Sequence, residues 1–285
     1  MSRGLRARPR TLPTLRRLTG GATLGAGVGR EVVRHYPHLV ERMSGIARAA
    51  RVPIESLMDD VVASAYGGGD HPLTAPAVAV GAREASDASS AVIARALAPD
   101  LPWIARGSQP EIGFGSVEIT LPWLVGGIAG LNEAGLAAVV ASSPSGSVEP
   151  GLAAAPAWLL VQDCLQRFAA LDASLEWCLR RPCAGEFSLL LGDAEGEFAV
   201  VDVSARGSRL RQRGQDSALA GGTAAAETSV RKRIAEAERF TGDWLRGDDV
   251  AEGEMAQVRL RPSSRELEWR GPAGDPLILR AGRTE

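Results

Sequence analysis

Gly130-Leu131-Asn132-Glu133-Ala134-Gly135-Leu136 decides how this chain is read. It lies between apolar runs of strand length, 124–129 before it and 135–142 after it, and a third such run, 113–121, precedes both. Each run carries β-branched residues and is punctuated by glycine, so consecutive strands joined by turns are expected. Asparagine suits such a turn because it tolerates left-handed backbone geometry.

Outward from this centre the chain falls into blocks. Upstream, 75–80 and 90–97 are short and apolar, and the polar segment 83–89 between them predicts a hairpin. Before that, from 22 to 65, Val28, Val32, Val33, Tyr36, Leu39, Val40, Met43, Ile46 and Ala47 recur mostly at steps of three and four, the spacing of helices that bury one face. Pro37 and Pro53 divide this region into two or three helices. Gly67-Gly68-Gly69-Asp70-His71-Pro72 is a strong turn signal and marks the expected boundary between a helical N-terminal segment, 1–72, and a domain, 73–285.

Downstream, 155–169 and 172–180 have helical spacing, and strands are expected at 187–191 and 198–203. A small-residue stretch, 213–226, reads as disordered, a charged helix is expected over 229–245, and strands near 256–260, 267–269 and 277–279 close the chain. Strands and helices in separate blocks predict an α+β layered architecture, two antiparallel sheets with helices outside, in preference to a doubly wound parallel sheet.

Composition narrows the function classes. With 285 residues, 45% hydrophobic and 23% charged, the chain can bury a full core. Its 32 basic and 34 acidic residues leave a formal net charge of -2, which gives no overall field to attract nucleic acid or an acidic membrane surface. The segment 3–17 is basic but no apolar run of signal-peptide length follows it, and no stretch is apolar enough for a membrane span, so a cytoplasmic protein is expected. Cys164, Cys178 and Cys183 are odd in number and show no C-x-x-C spacing, which argues against a disulfide framework and a zinc site and for packed thiols. Three scattered histidines add no metal-binding pattern, and no glycine-rich loop has the form of a phosphate cradle, so neither metal nor cofactor is expected.

The run 130–136 resembles the G-x-N-E-x-G-L strand-turn-strand of the acyl-coenzyme A:6-aminopenicillanic acid acyltransferase family. Tyr36-Pro37 with Gly45-Ile46-Ala47 and Val52-Pro53 looks like that family's helical lead-in, and 158–181 with 189–197 looks like its middle section. The resemblance implies the αββα four-layer sandwich of the N-terminal-nucleophile (Ntn) hydrolases. It also implies a precursor that cleaves itself to expose an N-terminal cysteine, whose thiolate attacks an amide or thioester while its own α-amine, with a pKa of about 8, serves as base. By resemblance Asn132 is a candidate oxyanion donor, with a turn asparagine as the alternative. Arg231, in the Ser229-Val230-Arg231 helix start, is a candidate carboxylate binder, with a solvated helix face as the alternative.

The departures bear directly on chemistry. The nucleophilic cysteine is expected just after the turn at 67–72, where the chain reads Pro72-Leu73-Thr74-Ala75-Pro76. Thr74 is the surviving candidate, since other members of this fold use an N-terminal threonine, although leucine rather than glycine precedes it. The alternative is an ordinary strand-edge threonine. The family's R-N-x-D appears as Arg95-Ala96-Leu97-Ala98, and its N-H segment is replaced by Leu219-Ala220-Gly221-Gly222. None of the three cysteines can stand in, because two lie in helical patterns and Cys183 follows Pro182 in the loop after them. The expectation is a catalytically impaired homologue that binds a small acylated amine or acyl thioester; the alternative is an active amidohydrolase or acyltransferase that uses Thr74 after autoproteolysis.

Overall fold

The structure, a computed structural model, describes residues 21–59, 73, 77–84, 87–97, 101–142, 154–214, 217–221, 256–271 and 276–282. The chain opens with α1 (Gly21–His35) and α2 (Pro37–Ala50), followed by α3, described over 54–59. Pro37 starts α2 at a position where its missing N–H costs nothing, and Arg51 ends it in the left-handed conformation, φ 56°. Leu39, Met43 and Ala47, spaced by four, are the stripe that α2 buries.

Two antiparallel sheets follow. The six-stranded sheet holds β1 (Val78–Glu84), β2 (Asp87–Leu97), β12 (Ser217–Gly221), β13 (Ala256–Arg261), β14 (Glu266–Arg270) and β15 (Leu277–Arg280), in the order β12-β1-β2-β13-β14-β15. The seven-stranded sheet holds β3 (Ile104–Ser108), β4 (Ser116–Thr120), β5 (Ala129–Asn132), β6 (Ala137–Ser142), β9 (Phe187–Gly192), β10 (Phe198–Ser204) and β11 (Gly207–Gly214), in the order β11-β10-β9-β6-β5-β4-β3. A short parallel pair, β7 (Ala155–Pro156) with β8 (Cys183–Ala184), stands apart from both.

The sheets pack face to face, with β1, β2 and β12 against β6, β9 and β10. Glycine makes the closest approach possible: a Cβ on Gly81 of β1 would lie 2.7 Å from the Phe198 ring, and one on Gly192 of β9 would lie 2.8 Å from Ile93 Cδ1. Helices α4 (Ala157–Arg167) and α5 (Leu171–Leu179) cover the outer face of the seven-stranded sheet. The apolar side chains of α1 and α2 belong to the same core cluster as both sheets. The architecture is an α+β sandwich of antiparallel sheets with helices outside, as the block pattern predicts. The helix expected over 229–245, the turn at 67–72 and residues 222–226 lie outside the described residues.

Three sequence expectations need correction. The apolar run 124–129 is a loop up to 128, and β5 begins only at Ala129. It cannot straighten into a strand because Gly126 presses on α4, where a Cβ would lie 2.2 Å from the Trp158 carbonyl oxygen. Arg106 also holds the loop, donating to the Leu124 and Val125 carbonyls at 2.9 and 3.0 Å. The second correction is in the stretch read as disordered, where 217–221 is β12, paired antiparallel with β1 from Val78↔Gly221 to Ala82↔Ser217. Third, β3 and most of β11 have no expected counterpart, since Arg106 in the one and Arg209, Arg211 and Arg213 in the other hide the strand alternation.

Candidate functional site

Strand alternation sorts the polar side chains onto two faces of the seven-stranded sheet. Gly130 and Asn132 of β5 pair with Glu118 and Ser116 of β4, and this row faces α4: a Cβ on Gly130 would lie 2.8 Å from Leu165 Cδ1. Asn132 is fully buried there. Its Nδ2 donates to the main-chain carbonyls of Leu165 at 2.8 Å and Phe168 at 2.7 Å, and its Oδ1 accepts from the N–H groups of Ala134 at 3.1 Å and Leu136 at 2.9 Å. A side-chain amide has two N–H donors, and both are used. In this structure Asn132 clamps the β5–β6 turn to the C-terminal end of α4. Gly135, at φ 91°, lets the turn close so that the Asn132 N–H reaches the Leu136 carbonyl at 2.9 Å.

The same outer face carries two fully buried carboxylates. Glu118 Oε1 accepts from Arg106 Nε at 2.6 Å and from Arg42 of α2 at 2.9 Å. Burial lowers the Arg106 pKa, and the Glu118 charge beside it opposes that shift. Asp163 of α4 accepts from Arg167 at 2.5 Å and from the Trp177 indole N–H at 2.8 Å, and His38 Nε2 of α2 lies 3.2 Å from its Oδ1. Both carboxylates thus hold α2 or the helix pair α4–α5 in place.

The interior between the sheets is different. Gly81 faces Phe198, so Ala79 and Gly81 of β1 point inward, as do Ile93 and Arg95 of β2, whose Cα partners are Gly81 and Ala79. Arg95 is buried, and its Nε crosses to the opposite sheet, donating to the Val140 carbonyl at 2.6 Å. Burial pulls its pKa down to about 10. On the facing strands the inward row runs Gly192, Leu190, Ser188 on β9 and Phe198, Val200, Asp202 on β10. Arg83, near the C-terminal end of β1, lies beside Gly196 in the β9–β10 turn. The N-terminal end of β1 therefore lies at the opposite end of the sandwich, where the interior row turns polar. There Ser188 donates to Asp202 Oδ1 at 2.7 Å, and Asp202 is flanked by Arg209 at 3.3 Å and Arg211 at 3.6 Å.

This end of the space between the sheets, with Arg95, Ser188 and Asp202, is the candidate site. Of the three residues singled out from sequence, Asn132 lies on the other face of the sheet, and Thr74 and Arg231 lie outside the described residues. Leu73, immediately before Thr74, is buried, and β1 begins at Val78. Sequence reasoning did not select Ser188 or Asp202, and met Arg95 only as the first residue of the altered R-N-x-D segment. The available signal was a single polar residue in an otherwise apolar strand: Ala91-Val92-Ile93-Ala94-Arg95, Phe187-Ser188-Leu189-Leu190, and Val200-Val201-Asp202-Val203.

The three cysteines are fully buried. Among the described residues no group of three or more His, Cys, Asp or Glu side chains is placed to hold a metal ion, and no helix is long and apolar enough to cross a membrane.

No protein-family model matches this sequence, and no curated protein matches it. Solved structures similar to it include an N-acylethanolamine-hydrolyzing acid amidase orthologue from Caenorhabditis elegans, at TM-score 0.48 and 12% identity, covering 65% of this chain and 93% of that one. A penicillin V acylase from Agrobacterium tumefaciens is similar at TM-score 0.46 and 14% identity, over 70% of this chain and 84% of that one. A conjugated bile acid hydrolase from Clostridium perfringens is similar at TM-score 0.46 and 10% identity, over 71% of this chain and 92% of that one.

Proposed function

We propose that this chain is an Ntn-hydrolase-type scaffold, related to the penicillin acyltransferases, that binds a small acylated amine at the Arg95 end of the space between its sheets and has lost thiol catalysis. The observation that carries the reading is Arg95. Its guanidinium is buried between the sheets and held through Nε to the Val140 carbonyl, a cation in a dry setting where a ligand carboxylate would be its complement. The ligand class it favours is an acylated amine that also bears a carboxylate, such as an N-acyl amino acid. Loss of thiol chemistry is supported by the position of the cysteines: Cys164 and Cys178 sit in α4 and α5, on the far side of the seven-stranded sheet from the candidate site, and Cys183 sits in β8.

A second reading, an active amidohydrolase or acyltransferase using Thr74, is favoured by the burial of Leu73 close ahead of β1, which brings the bond to be cut near the core. In that reading the chain cleaves itself between Leu73 and Thr74, and the freed α-amine takes the proton of the Thr74 hydroxyl.

The decisive measurement is intact mass after incubation, paired with calorimetric titration of N-acyl amino acids. The binding-scaffold reading expects an uncut chain of 29.8 kDa that binds the ligand, with binding lost in Arg95→Met. A chain split before Thr74, with amide turnover that Thr74→Ala abolishes, establishes the second reading instead. Binding that survives Arg95→Met removes the Arg95 end as the site.

A further inference from the structure

The three thiols, carried on three successive elements, gather behind the seven-stranded sheet. Cys164 lies on α4, Cys178 on α5, and Cys183 opens β8. The sulfurs of Cys164 and Cys178 are 3.5 Å apart, a thiol–thiol hydrogen bond with both groups buried. The two helices are separated only by residues 168–170, and this contact links one to the other.

We propose that Cys164 and Cys178 are a latent disulfide that staples α4 to α5 when the protein meets a low-molecular-weight disulfide such as oxidised glutathione. The exchange is balanced. One protein thiol loses its proton, and its thiolate attacks a sulfur of the oxidant, forming a mixed disulfide and releasing one small thiolate. The second protein thiol, once deprotonated, attacks the protein-side sulfur, closing the bond and releasing the second small thiolate. Two protein thiols are oxidised, one small disulfide is reduced to two thiols, and the two protons pass to the released thiolates.

Geometry chooses the pair. Cys183 forms no sulfur–sulfur hydrogen bond with either partner among the described residues, so it is the bystander. The surroundings set the pace. The hydrogen bond from Cys178 and then burial push the Cys164 thiol pKa well up, and burial does the same for Cys183. Thiolate is therefore scarce while the helices are closed, and exchange waits on openings in which α5 lifts from α4. α5 is only nine residues long. Its Trp177 indole is bonded to Asp163 and its ring lies under the Arg167 guanidinium of α4 at 5.2 Å, contacts that must part for α5 to lift from α4.

The test uses the full folded chain. After incubation with oxidised glutathione at pH 8 and acid quenching, the protein is unfolded, alkylated with iodoacetamide and weighed, then digested for peptide mapping. The proposal expects one alkylated cysteine in place of three, a peptide pair joined through Cys164 and Cys178, and a melting temperature raised by roughly 5 °C and restored by dithiothreitol. Cys183→Ser keeps the bond and Cys178→Ser abolishes it. Three alkylated cysteines after oxidation, or a linkage that includes Cys183, overturns the proposal in the wild-type chain without reference to any variant.

Discussion

The two faces of the seven-stranded sheet bury polar groups for different ends. Toward α4, Glu118, Asp163 and Asn132 are fully enclosed, and each joins one element of secondary structure to another. Toward the facing sheet the interior is apolar until the end where β1 begins, and there Ser188, Asp202 and Arg95 gather. Buried polarity alone therefore does not mark a site. What separates the faces is the kind of polar group each one buries: carboxylates and a clamped amide toward α4, and an arginine with a serine–aspartate pair toward the facing sheet.

That contrast can be broken most forcefully at Glu118. Glu118→Leu leaves Arg42 and Arg106 without their shared carboxylate, and stability by urea denaturation is expected to fall by about 3–5 kcal/mol. A loss below about 1 kcal/mol would show that the buried pair is not what holds α2 to the sheet. Asn132→Ala should cost somewhat less, about 2–4 kcal/mol, because the Leu165 and Phe168 carbonyls and two amides of the turn lose their partner. The same variant should still bind at the candidate site. If it instead keeps full stability and loses ligand binding, the assignment of Asn132 to the structural face is wrong.

The smallest effect is on the other sheet, at Glu268 of β14. Burial raises its carboxyl pKa, but hydrogen bonds from Arg270 and Arg261 and the nearby Arg259 charge outweigh burial and leave it below the usual value of 4.5. A depressed folded-state value means that the carboxylate adds stability above pH 4.5 and loses it as the pH falls through the folded value. The stability gap between wild type and Glu268→Gln should therefore be present at pH 7 and shrink by pH 3. A gap that does not change with pH would remove the ionised arginine contacts as its source.

Much of the fold was legible because local pattern and global packing agree. The periodicity of α2, the β1–β2 hairpin and the strand-turn-strand around Asn132 all follow from spacing and turn chemistry. The misreadings arose where packing overrides composition. The run 124–129 looks like a strand because Leu124, Val125 and Ile128 are core residues, yet contact with α4 bends it. In β11 alternate positions carry Arg209, Arg211 and Arg213, so its pattern is one of charge and not of burial. The site was less legible than the fold. The G-x-N-E-x-G-L motif identifies a turn, but which carbonyls the Asn132 amide meets depends on a helix end more than thirty residues downstream. Arg95 became a candidate only when β6 supplied the carbonyl opposite it.

The distribution of strands along the chain has a consequence for how the molecule assembles. Every strand of the seven-stranded sheet comes from one continuous span, Ile104 to Gly214, whereas the six-stranded sheet joins β1 and β2 to strands that begin only at Ser217. The register that unites them, Ala256↔Leu97 through Leu260↔Ile93, closes a loop of more than 150 residues. Loop closure of that length slows folding, and synthesis delivers β13 more than 150 residues after β2. The seven-stranded sheet with α4 and α5 is thus the portion able to form before β13 is made, and β2 must wait for β13 to arrive.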